Sequence, residues 1–241
     1  EPGVGKTRLA EELMAEARQR NMTALIGHCY EMEGAPPYIP FVEMLEAGAR
    51  VFPPEALRDA LGESAPEVAK LMPELRRLFP DIPPPLELPP EQERRLLFDG
   101  VCGFVERIAR TTPLFLTVED LHWADDATLL LLQHMAQRLH DMPLLVVGTY
   151  RDVELDAARP LARALEELLR QRLAHDVALK RLPEAGVGEM LRALSGREPP
   201  APLVQAIYGE TEGNPFFVEE VFQHLAEEGK LFDPPGRWRS D

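Results

Sequence analysis

The chain has 241 residues, with 41 acidic side chains against 26 Lys and Arg and a net charge of −15. That acidity argues against a broad nucleic-acid surface, and no apolar run approaches the roughly 20 residues of a membrane helix. The length suits one α/β domain plus a smaller helical one, and a 45% hydrophobic share is enough for a core.

Leu9, Leu13 and Ala17 recur at helical spacing after Thr7, and Asn21 is a stop signal. "TALIGHCY" (23–30) reads as a short strand. The 24 prolines cluster at 36–40, 53–54, 73–90 and 199–202, so residues 31–90 are expected to hold short helical pieces broken by connections. Leu97, Val101, Phe104 and Ile108 form one face of a helix over 93–110. "PLFLTVED" (113–120) is a buried strand ending in acid. Asp125 or Asp126 is placed to cap the next helix, with Leu132, Met135 and Leu139 inward.

"PLLVVGTYR" (143–151) is another apolar strand. A helix follows through Leu161, Leu165 and Leu168, and Val177–Leu179 reads as a last short strand. Strands that are continuous apolar runs, alternating with helices, predict an α/β fold with a parallel sheet covered on both faces. From Pro183 onward only helical stripes remain: Val187, Met190, Leu191 and Leu194, then Val218, Val221, Phe222 and Leu225. The expected division is 1–182 for the α/β core, with its Pro-rich insertion at about 31–110, and 183–230 for a helical lid. Residues 231–241 would begin a hairpin. Cys29 and Cys102 match no metal or redox spacing, which fits a reducing cytoplasm.

Two stretches carry chemistry. "EPGVGKTRLA" contains most of a phosphate-binding loop; the pattern G-x-x-x-x-G-K-[ST] needs one more glycine ahead of Glu1. Glycines let backbone N–H groups approach phosphate oxygens, and the helix N-terminus favours an anion. Gly3, Val4, Gly5, Lys6, Thr7 and Arg8 form the expected nucleotide-binding stretch, with Lys6 on the phosphates and the Thr7 hydroxyl on Mg²⁺. The plainer alternative is a turn opening an ordinary helix. In "FLTVEDLHWADD", Glu119 is the candidate for the metal shell, through a bridging water, and Asp120 for orienting an attacking water. Trp123 is expected to pack under the next helix, with His122 at the surface.

"GVGKT", "VEDLHWADD", "VVGTYRD" and "GNPFFVEEVFQHLAEEGKL", in this order, resemble the ATPase module of the STAND class within the AAA+ superfamily. Such modules sit in large bacterial signalling proteins, including LuxR-type regulators and cyclase- or kinase-linked proteins with helical repeats. The resemblance implies ATP and Mg²⁺ as ligands and a phosphate-loop sheet of strand order 5-1-4-3-2. It gives Arg151 the sensor position near the γ-phosphate; a surface Arg paired with Asp152 or Glu154 is the alternative. It sets Pro215 near the adenine and makes "GRWRSD" the start of a winged-helix region.

Implied partners are ATP or ADP, flanking domains of the same polypeptide (winged helix, repeats, output domain), and a nucleotide-dependent second copy. Neither nucleic-acid nor membrane contact is expected from these residues. The lid arginine typical of AAA+ proteins has no counterpart, which points to slow hydrolysis. The chain is expected to be a piece of a longer protein lacking the central strand before the loop, so that the parent binds ATP and the piece is impaired. A non-hydrolysing nucleotide-bound scaffold is the competing reading; a small-molecule kinase leaves the GNP loop unexplained.

Overall fold

The computed structural model describes residues 1–32, 34–152, 160–231 and 238. In chain order, α1 (Lys6–Gln19) leads to β1 (Thr23–His28). Four helices follow, α2 (Ile39–Val51), α3 (Pro54–Leu61), α4 (Ala65–Leu71) and α5 (Leu75–Leu78), and then the long α6 (Pro90–Thr111). Next come β2 (Leu114–Glu119), α7 (Asp126–Arg138), β3 (Leu144–Gly148) and α8 (Pro160–Arg170). Three further helices are α9 (Glu184–Ser195), α10 (Ala201–Thr211) and α11 (Pro215–Glu227). Contacts divide the chain into two compact units: Thr7–Asp176, and Glu1–Lys6 with the chain from Val177 onward.

The first unit is the expected α/β fold. Its sheet has the order β1-β2-β3 and is parallel throughout, with register from Thr23↔Leu114 to His28↔Glu119 and from Leu114↔Leu144 to Val118↔Gly148. This order agrees with the 4-3-2 part of the implied topology. β2 is buried at every residue because "LFLTVE" presents apolar side chains to both faces. On one face Leu25, Leu116 and Val118 pack with Phe41 and Met44 of α2, Val101 and Ile108 of α6, and Met135 of α7. On the other, Phe115 meets Met14 and Ala17 of α1; burying its ring contributes on the order of 2 kcal/mol. α2 lies so close to β1 that a Cβ on Gly27 would stand 2.1 Å from the Pro40 carbonyl oxygen. Any other residue there would push the helix off the strand.

Three expectations change. The inward stripe of α1 is Ala10, Met14 and Ala17, while Leu9 and Leu13 are exposed; a one-residue offset turns a helix face by about 100°. The proline clusters open helices as well as separating them: Pro40, Pro54, Pro90 and Pro202 lie in first turns, where the lost N–H has no intrahelical partner to lose. Pro202 thereby starts α10, a helix not placed from the sequence. Its Val204 and Ile207 join Val187, Leu191 and Val218 in the core of the second unit. Finally, Val177–Leu179 is not a strand, and Val177 is 73% exposed. A strand needs a ladder partner for its N–H and C=O groups, and among the described residues the sheet ends at β3. The hairpin expected at 231–241 lies almost wholly outside the described residues.

Candidate functional site

In the unit that holds Glu1–Lys6, the chain turns through Gly3 (φ 76°) and Gly5 (φ 98°) and enters α1 at Lys6. Both angles are in the left-handed region that glycine adopts without steric cost. Lys6 Nζ folds back to donate to the Glu1 carbonyl at 2.7 Å. Val4 is buried. Arg8 turns away and pairs with Glu12 (2.6 Å) and Glu11 of its own helix, so it does not join the loop.

The loop is clamped by the residue before α11. Asn214, 2% exposed, donates through Nδ2 to the Pro2 carbonyl (3.1 Å) and accepts the Phe216 N–H at Oδ1 (3.1 Å), capping α11. Phe216 N–H also reaches the Gly3 carbonyl. A Cβ on Gly3 would stand 2.7 Å from Asn214 Oδ1, so the clamp closes only over glycine. Arg181 forks between the carboxylates of Glu1 (2.6 Å) and Glu212, and its hydrogen bonds hold the Glu1 carboxyl below the usual carboxylate range. Pro215 is the first residue of α11. Sequence reasoning named Gly213-Asn214-Pro215 as one loop but gave a role only to Pro215, not to Asn214. The available signal was the pairing itself, an N-cap amide followed by proline at the first helical position.

In the Thr7–Asp176 unit, the Thr7 hydroxyl lies beside the Glu119 carboxylate at the carboxyl end of β2 and favours its charged form. Glu119 is 7% exposed, and its Oε1 has no hydrogen-bond partner among the described residues. Burial pushes its carboxyl up, with smaller pushes from the charges of Asp120 and Glu11, against pulls from His28 and Thr7. Asp120 follows in left-handed backbone (φ 55°), a conformation that Asp tolerates better than most residues. Its N–H donates to Thr149 Oγ1 at 3.1 Å, and the Leu121 N–H to the Thr149 carbonyl, so the segment after β3 fixes the turn after β2. The Asp120 side chain is about half exposed. Trp123 packs against the core as expected. His122 does not lie at the surface; it is 8% exposed, because the one-turn helix at Leu121–Trp123 rolls it inward. Arg151 stands three residues beyond the end of β3, half-buried. Its suggested partner Glu154 lies outside the described residues.

The end of β1 holds a cluster that sequence reasoning did not find. Glu43 of α2 reaches round the outer edge of β1. It accepts the His28 N–H (2.8 Å), bonds His28 Nδ1 (2.9 Å) and accepts the Tyr30 hydroxyl (2.7 Å). Burial alone would raise its carboxyl, but the Tyr30 and His28 hydrogen bonds outweigh it and hold it low. The nearby Cys29 and the distant Cys102 are both buried, which pushes each thiol up to about 12, far from a reactive thiolate.

A glycine loop running into a helix, and a hydroxyl–acid pair at the carboxyl end of a parallel sheet, define a phosphate-loop NTPase-like domain. The AAA ATPase domain family matches residues 1–147, and the chain belongs to that family. Searches of curated proteins and of solved structures gave no match. No helix among the described residues is long and apolar enough to cross a membrane.

The residues present fit a Mg²⁺ ion held together with phosphates. No group of three or more His, Cys, Asp or Glu converges among the described residues. This kind of site needs none, because Mg²⁺ keeps its waters and takes only one or two protein oxygens beside the nucleotide. The buried, unpartnered Glu119 Oε1 and the Thr7 hydroxyl are such a pair. Bound with ATP, the ion would neutralise charge on the phosphates.

Proposed function

We propose that the chain is an ATP-binding, slowly hydrolysing switch module of the STAND type, working in the cytoplasm within a multidomain bacterial signal-transduction or transcription regulator. Gly3, Val4, Gly5 and Lys6 bind the phosphates, Thr7 and Glu119 hold Mg²⁺, and Asp120 orients the attacking water. Arg151 reads the γ-phosphate and Pro215 lies by the base. The observation that carries this reading is the Thr7–Glu119 pair with its orphaned acid oxygen. A carboxylate desolvated without a full set of donors is costly unless a cation completes its shell. The four motifs that resemble the STAND class, in their order, support the finer assignment.

Calorimetry of the full-length polypeptide with ATP and Mg²⁺ tests the reading. One-site binding is expected, and Lys6→Ala should weaken it beyond detection, because Lys6 is the only side-chain cation the loop itself places. The helix terminus left behind contributes only about 0.3–1 kcal/mol. Unchanged affinity in the alanine variant would remove the assignment.

A further inference from the structure

We propose that Phe216, braced by Phe217, is the platform on which the base of the nucleotide stacks. The inference rests on the ATP-binding reading above. It adds an aromatic contact within the unit that holds Glu1–Lys6 and the chain from Val177 onward.

The helix itself sets the ring apart from the core. The inward stripe of α11 is Val218, Val221, Phe222 and Leu225, packed with residues of α9 and α10. At about 100° per residue, Phe216 stands roughly 200° round from Val218, so its side chain cannot join that core. Phe216 and Phe217 are each about half exposed, and their rings form a T-shaped pair with centroids 5.4 Å apart and planes at 68°. Large apolar groups held together at a surface mark a binding face.

What that face binds follows from what it adjoins. The Phe216 N–H donates to the Gly3 carbonyl at 3.2 Å, and a Cβ on Gly3 would stand 2.9 Å from the Phe216 Cβ. The Phe216 side chain therefore leaves the backbone directly against the phosphate loop. The loop offers an anion its glycine-rich backbone, the start of α1 and the Lys6 cation. The ring beside it offers a flat apolar π face. A free phosphate would use only the loop, and an apolar peptide only the rings. A nucleoside polyphosphate carries both an anionic tail and a flat ring, and uses both. An edge-to-face neighbour steadies the plane of the Phe216 ring, and the exposed half of the side chain is what a base can cover. Capping α11 does not need the ring; the Phe216 N–H makes the bond to Asn214 Oδ1, and another residue would serve.

Calorimetry of the full-length polypeptide with ATP and with inorganic tripolyphosphate, each with Mg²⁺, tests this. Tripolyphosphate has the phosphates and no base. The parent should prefer ATP by roughly tenfold or more, and Phe216→Ala should lose about ten- to a hundredfold for ATP and nothing for tripolyphosphate. Phe216→Leu, which keeps apolar bulk without a π face, should lose most of the preference, and Phe216→Trp should keep it. An ATP affinity within twofold of the parent's in Phe216→Ala overturns the proposal and leaves the rings as a protein-contact surface. An equal loss for both ligands overturns it as well, because the ring would then act by shaping the loop. So does full retention in Phe216→Leu, or a parent that binds tripolyphosphate as tightly as ATP. All four outcomes leave the ATP-binding reading standing. A parent that binds neither ligand removes both.

Discussion

The two polar constellations of the molecule are built to opposite standards. Around Asn214 the hydrogen bonds are made: its amide nitrogen serves Pro2, its oxygen serves Phe216, and Arg181 joins Glu1 to Glu212. Around Glu119 they are not: a buried oxygen has no partner among the described residues, and the carboxyl is pushed up by burial. A finished joint holds a loop and a helix start in one geometry. An unfinished one stores an unfavourable charge that a ligand relieves. Substitutions in the first should therefore cost stability, and substitutions in the second should cost function while leaving stability intact or improved.

The largest expected effect tests the unfinished region. Asp120→Asn should lower ATP turnover by on the order of 10²–10⁴, because an amide cannot accept or orient a water's proton as a carboxylate does. Stability should hold within about 0.5 kcal/mol, since the side chain is half exposed and Asn suits left-handed backbone at least as well as Asp. Steady-state kinetics alongside denaturant melts would show the split. Turnover at the parental rate would move the water-orienting role to another residue.

The next effect tests the finished region. Asn214→Ala removes a helix cap and strips the Pro2 carbonyl of its buried donor, a loss of roughly 2 kcal/mol. Unfolding midpoints measure it directly. A loss below a few tenths would mean that the clamp is not a structural joint, and the contrast would collapse.

How much of this was legible beforehand depended on whether a feature is carried by neighbours in sequence. The buried run of β2, its terminal acids and the Gly-Lys-Thr turn are local, and the parallel α/β fold followed from them. Asp125 was legible as a cap because a cap acts three residues away, and it does accept the Thr128 N–H. Glu43 was not, because nothing in "PFVEML" shows that α2 will fold against the outer edge of β1. Gly27 permits that approach, but a glycine inside a strand reads only as a generic close contact. α10 was missed because prolines were read as helix breakers, whereas at a first turn they are helix starters. Val177–Leu179 was misread for the opposite reason. Its apolar residues are right for a strand, but a strand is a property of a pair, and no partner is inscribed in the segment itself.

The smallest effect gives the sharpest test, because its sign is unusual. Glu119→Gln removes a charge from a site where burial disfavours it, while keeping an oxygen for the Thr7 hydroxyl. Well below the ordinary carboxylate range, Glu119 is neutral in both folded and unfolded chains, so the substitution should leave stability nearly unchanged. As pH rises, the unfolded chain loses its proton first and the folded chain, with its raised value, holds on longer. The unfolded state is then relatively favoured, and the parent loses stability through that interval. Glutamine does not titrate, so the variant should gain on the parent across the same interval and keep the gain at neutral pH, at below about 1 kcal/mol. Glu43 behaves oppositely. Held low by Tyr30 and His28, it contributes stability that is present above the ordinary range and lost as pH falls through its lowered value. Glu43→Gln should therefore lose on the parent at neutral pH and converge with it in acid. Denaturant midpoints of the two variants from acid to neutral pH should diverge in opposite directions from a common start. Should Glu119→Gln instead fall below the parent at neutral pH without nucleotide, the carboxylate would already be satisfied by the protein, and the site would be a finished joint like the one at Asn214.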